Sequence, residues 1–119
     1  MALNGTGSLV NGLASGPSSN ERPPAPAVGD GATIYHWTDR SVATVTRVET
    51  SRRGVTTVYM VADNVKWLPH PSGYAESYSP GTGREFTARA RKYKGKWRWA
   101  TAGSAVRFGH RDAYYDPHF

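Results

Sequence analysis

Residues 86–99 leave the chain little choice of local structure. Alternation with period two runs up to Tyr93, Lys94-Gly95 suits a two-residue turn, and a second alternating run follows from Lys96 to Trp99. The pattern predicts a β-hairpin. With Lys94 and Gly95 as its loop, Tyr93 falls opposite Lys96, Lys92 opposite Trp97, Arg91 opposite Arg98 and Ala90 opposite Trp99.

This register sorts the side chains onto two surfaces. Phe86, Ala88, Ala90, Trp97 and Trp99 share one, where small alanines leave room for large indoles, and this surface is expected to be core. Arg89, Arg91, Tyr93, Lys96 and Arg98 share the other. There Arg91 opposite Arg98 is a like-charge pair that weakens the sheet unless an anion relieves it. The alternative is that these arginines splay into water over their buried stems. A slip of one residue would exchange the two surfaces, so both expectations depend on the turn.

Composition agrees with a β protein. Four Trp, seven Tyr and three Phe must supply much of the core of the 119-residue chain, beside many Val and Thr. No cysteine is present, which excludes disulfides and thiolate metal sites. No apolar run reaches membrane-spanning length and the start lacks the pattern of a signal peptide, so the expectation is a soluble protein of the cell interior, or a component of a virion assembled there.

The net charge of +6 is unevenly placed. Residues 1–83 carry six Lys/Arg and six Asp/Glu, whereas residues 84–119 carry nine Lys/Arg against three Asp/Glu, so the whole surplus of six lies in the last third. Such confinement points to an anionic partner at that segment: nucleic acid, a nucleotide or an acidic protein surface.

Along the chain, residues 1–27 read as an N-terminal arm. A short apolar stretch with Leu3, Leu9, Val10 and Leu13, helical from a cap at Ser8 or disordered, gives way to the Pro/Ser-rich linker Gly16 to Pro26. Residues 28–119 read as one β domain. Val28-Gly29-Asp30-Gly31 is a turn into a strand from Ala32 to Trp37, followed by strands from Ser41 to Thr50 and from Val55 to Asp63, with Ser51-Arg52-Arg53-Gly54 as the hairpin turn between the last two. The connector Asn64 to Gly83, rich in Pro and Gly, reads as a self-packed or functional loop. A last strand lies around Ala105 to Phe108, and the tail, aromatic up to Phe119, is expected to dock. Five or six short antiparallel strands at this spacing predict a mainly β fold, either a small SH3-like barrel or a compact β-sandwich.

Asn4-Gly5-Thr6-Gly7-Ser8-Leu9, Val28-Gly29-Asp30-Gly31-Ala32-Thr33 with Trp37-Thr38-Asp39-Arg40, and Arg111-Asp112-x-Tyr114-Tyr115-Asp116 with the closing Phe119 together resemble a family of small uncharacterised proteins of bacteriophages and mobile elements. The resemblance implies a phage setting, hence the cytoplasm of an infected bacterium, and an ordered role for both termini. It implies no catalytic activity. Small and often oligomeric phage proteins that sequester nucleotide signals of host defence are similar in kind, which adds anti-defence capture by a homo-oligomer to the expectations.

Catalytic chemistry finds no support in the residues. His36, His70, His110 and His118 are scattered without metal-ligand spacing, His110-Arg111-Asp112 lacks every other part of a kinase catalytic loop, and there is neither a nucleophile elbow nor a carboxylate pair. The expectation is a non-enzymatic protein without metal or cofactor. For binding, Arg89, Arg91, Lys96 and Arg98 are the expected phosphate ligands, with Arg52 and Arg53 of the other turn as a second basic point and Tyr93 as a stacking ring. Asp39-Arg40 and Arg111-Asp112 read as ion pairs fixing a turn and the tail. Three functions fit: capture of a nucleotide or other phosphate-bearing ligand, which the phage setting favours, with general DNA or RNA binding and docking on a protein partner as an inhibitor or virion component as the alternatives.

Overall fold

Alternation of period two dictates strands, and strands are what the chain forms. A computed structural model describes Ser18–Ser19 and residues 21–117. It contains β1 (Ser18–Ser19), β2 (Gly31–Tyr35), β3 (Arg40–Thr50), β4 (Thr56–Ala62), β5 (Asn64–Trp67), β6 (Ala75–Ser79), β7 (Glu85–Tyr93), β8 (Lys96–Thr101) and β9 (Ser104–Phe108), and no helix among the described residues. The short helix expected near Leu9 to Leu13, the Asn4 to Leu9 motif and the docking of Phe119 lie outside the described residues.

Six of these strands close into a small antiparallel barrel. β2, β3, β4, β7, β8 and β9 pair in chain order, and β9 returns to pair with β2, joining Ala32 to Phe108 and Tyr35 to Ala105. Closure leaves no long free edge to recruit another chain. The expected meander and hairpins are therefore all present, and their order is the simplest a barrel can have. β1 was not expected. Residues 18–19 of the arm pair with Trp97 and Arg98 of β8, where β9 no longer runs alongside.

The core is the inward row of each strand. Ala32, Ile34, Ala43, Val45, Val58, Met60, Ala88, Trp99 and Val106 are buried, with Phe86, Ala90, Val48 and Phe108 packed against them. Inward positions on β3 change parity, from 43 and 45 to 48. The cause is a bulge at Thr46, where the register with β4 shifts between Val45 and Arg47. Without that extra residue Arg47 would point into the barrel. Instead its guanidinium lies outside, 3.7 Å from the centre of the Tyr59 ring, and pairs with Glu49 and Glu85.

Two corrections concern what surrounds the barrel. The connector after β4 is not one loop but carries its own hairpin, β5 against β6, inserted between β4 and β7. The Asp39-Arg40 and Arg111-Asp112 neighbours do not pair with each other; the arginines reach across. Arg40 meets Asp112 at 3.3 Å and Arg111 meets Asp63 at 2.8 Å, because adjacent residues on an extended chain point to opposite sides.

These crossed pairs strap the tail onto the outside of β2 and β3. Thr33 donates to the carbonyl of His110 and accepts from the amide of Asp112, Arg40 and Tyr114 exchange backbone bonds, and Tyr78 accepts from the amide of Ala113. The expectation that the tail docks holds as far as Pro117. Arg111 of the tail reaches Asp63, which follows β4 and whose side chain is only 1% exposed; Thr44 donates to one carboxylate oxygen at 2.5 Å and Arg111 Nε to the other. A buried charge held this way is satisfied on both oxygens.

Candidate functional site

The two turns that carry the basic residues leave the barrel at one end. β4 lies between β3 and β7, so the Ser51–Gly54 turn after β3 stands beside the Lys94-Gly95 turn after β7. The latter forms because both of its residues have positive φ, 52° and 80°. That is the signature of a type I′ turn, whose twist matches the flanking strands and fixes the hairpin register. Glycine adopts the second position without strain.

The register is the expected one, with Tyr93 opposite Lys96, Lys92 opposite Trp97, Arg91 opposite Arg98 and Ala90 opposite Trp99. Arg89, Arg91, Tyr93, Lys96 and Arg98 accordingly share the outer surface. Arg91, Lys96 and Arg89 are exposed, Tyr93 is half exposed, and Arg98 is partly buried. The guanidinium of Arg98 lies 4.3 Å from the centre of the Tyr93 ring, a stacked cation–π geometry. Its Nε is buried and has no hydrogen-bond partner among the described residues. Arg89 is steadied by donating from Nε to Thr57 Oγ1 at 3.1 Å.

Charge is segregated around this end. Ion pairs among the described residues engage Arg40, Arg47, Lys66 and Arg111. Arg52, Arg53, Arg91, Lys96 and Arg98 take part in none of them. Arg47 shows the contrast: desolvation pulls its pKa down, hydrogen bonds to Glu49 and Glu85 more than offset this, and the group sits above its ordinary value. It is neutralised where it stands. The hairpin cations Arg91, Lys96 and Arg98 have no such carboxylate beside them among the described residues.

A second feature of this end escaped the sequence. The barrel mouth opens into a cleft of about 150 Å³ lined by Trp97, Trp99, Ala90, Val55, Thr56 and the linker residues Arg22, Pro23 and Ala25. Arg22 places its guanidinium 4.4 Å from the centre of the Trp97 ring, and Lys92 its ammonium 5.5 Å from it. Trp97, expected in the core, is instead only partly buried and lines this cationic cleft, and Trp99 alone of the two belongs to the core cluster. Lys92 was readable, since the register sets it opposite Trp97. Nothing in the sequence signals Arg22, because the fold of the linker over the mouth depends on a barrel that only tertiary pairing creates.

No three His, Asp or Glu side chains among the described residues gather to hold a metal ion. Comparison of the chain with protein-family models, with curated proteins and with solved structures finds no match.

Proposed function

We propose that this barrel is a non-enzymatic binding protein that takes the phosphate backbone of a nucleic acid on its basic end. The observation that carries this reading is Arg91 facing Arg98 beside Tyr93, with no carboxylate among the described residues paired to either. Like charges directly opposite each other destabilise a strand pair, and phosphate oxygens that bridge the two guanidinium groups turn that repulsion into affinity. An exposed surface with a neighbouring second turn, Arg52-Arg53, suits an extended strand more than an enclosed ligand. In the bacteriophage setting that the sequence resemblance implies, the strand belongs to an infected bacterial cell.

Capture of a free nucleotide by a homo-oligomer is the second reading, and the barrel-mouth cleft is the feature that favours it. Salt separates the two. Fluorescence anisotropy with labelled single-stranded oligonucleotides, duplexes and mononucleotides is expected to give strand binding whose logarithm falls against log salt with a slope of about −3, for some four phosphates at roughly 0.7 each. Salt-tolerant binding of a mononucleotide alone would support capture. Silence across the panel would overturn both and leave a protein partner.

A further inference from the structure

We infer that the barrel mouth is a site for one unstacked base of a single-stranded nucleic acid, held against Trp97. The inference rests on the strand-binding reading above and specifies which kind of strand. At about 150 Å³ the cleft is smaller than the roughly 300 Å³ at which pockets for whole small molecules begin, so it has room for one planar ring system and not for a complete nucleotide.

The cleft already shows what it accepts. The planar guanidinium of Arg22 stands over the Trp97 ring. A nucleobase is another flat group, and an indole face stacks on any of the bases. Trp99 is 6% exposed and packs edge-on against Phe108 at 5.4 Å, which gives the cleft a rigid base. Arg22 comes from an exposed linker and is displaceable, whereas Trp97 is anchored in β8.

The rim continues the chemistry of a strand. Gly54 and Val55 on the wall connect directly to Arg52 and Arg53, and Lys92 stands over the ring, so phosphates flanking an inserted base meet cations on two sides. On the far side of β8 the Arg91 and Arg98 pair takes the next stretch of backbone. Bases inside a duplex are stacked and paired, and inserting one would require extruding it. The cleft therefore selects single strands.

The test compares, by anisotropy at low salt, a short oligothymidylate, an abasic strand with the same number of phosphates, and the matching duplex. The expected result is that the base-bearing strand binds about ten-fold tighter than the abasic one, and that Trp97→Leu brings it down to the abasic level. Arg91→Ala with Arg98→Ala abolishes binding of both strands together. Should Trp97→Leu not fold, quenching of 2-aminopurine in the strand by the wild-type protein, reduced in Trp97→Phe, reads the same contact. Equal affinity for base-bearing and abasic strands overturns the base site while strand binding stands. Binding of neither strand overturns both.

Discussion

The side chain of Arg111 fills the space that a Cβ on residue 31 would need, with Nη1 2.6 Å from that position while Nε bonds the buried Asp63 at 2.8 Å. Glycine is thus required at 31 by its neighbour. Gly31→Ala is expected to push Arg111 off Asp63 and destabilise the fold by about 2–3 kcal/mol, and Arg111→Met by about 3–5 kcal/mol, since each leaves a buried carboxylate without its cation. The double variant should cost little more than Arg111→Met alone, because one interaction is lost once. Urea denaturation of the three proteins measures this, and additive losses would show that residue 31 and Arg111 are independent.

Arg91→Ala combined with Arg98→Ala removes a like-charge pair and a buried unpartnered donor. Stability is expected to stay equal or rise by about 0.5 kcal/mol, with loss of the Arg98 stack on Tyr93 limiting the gain. Oligonucleotide binding should disappear in the same variant. A clear fall in melting temperature with binding intact would mean that the pair serves the barrel and not a ligand.

The β8–β9 turn offers a gain without any change at the basic end. Ala102 has φ 46° and precedes Gly103 at φ 86°, so an ordinary L-residue occupies a left-handed position. Ala102→Asn is expected to stabilise by roughly 0.5–1 kcal/mol, since asparagine tolerates that conformation and Asn-Gly is the preferred pair for such turns. Thermal unfolding should shift upward by several degrees, and unchanged or lowered melting would mean that the strain is relieved elsewhere.

Ending the chain after Gly109 removes Arg111 from Asp63, Asp112 from Arg40 and the backbone exchange with Tyr114. The loss is expected to exceed that of Arg111→Met, hence more than about 3 kcal/mol. Hydrogen exchange in β2 and β3 reports it directly. Protection there equal to that of the full chain would contradict the strap.

Much of this architecture was legible because its signals are local. Lys94-Gly95 fixes a turn, the turn fixes a register, and the register alone placed Arg91 against Arg98 and Ala90 against Trp99. What was not legible depends on residues far apart in sequence. Arg40 and Asp112 pair across 72 residues and Asp63 and Arg111 across 48, so the nearest opposite charge in the sequence misleads. The hairpin of β5 and β6 hides among prolines and glycines that read as loop, and the bulge at Thr46 has no composition of its own. The mouth cleft combines both problems: Trp99 was correctly placed in the core, whereas Trp97, expected beside it, is only partly buried and lines the cleft, and the linker that covers it carries no signal of where it settles.

Closure of the barrel also sets a schedule for its making. β2 is completed by β9, with Ala32 beside Phe108, so during translation the first barrel strand keeps one unpaired side until residues 104–108 have left the ribosome. Pairings this distant in sequence form late and slowly. For that interval the nascent barrel is an open curved sheet, and the strand that ends the waiting is followed at once by the tail that straps the outside of β2 and β3.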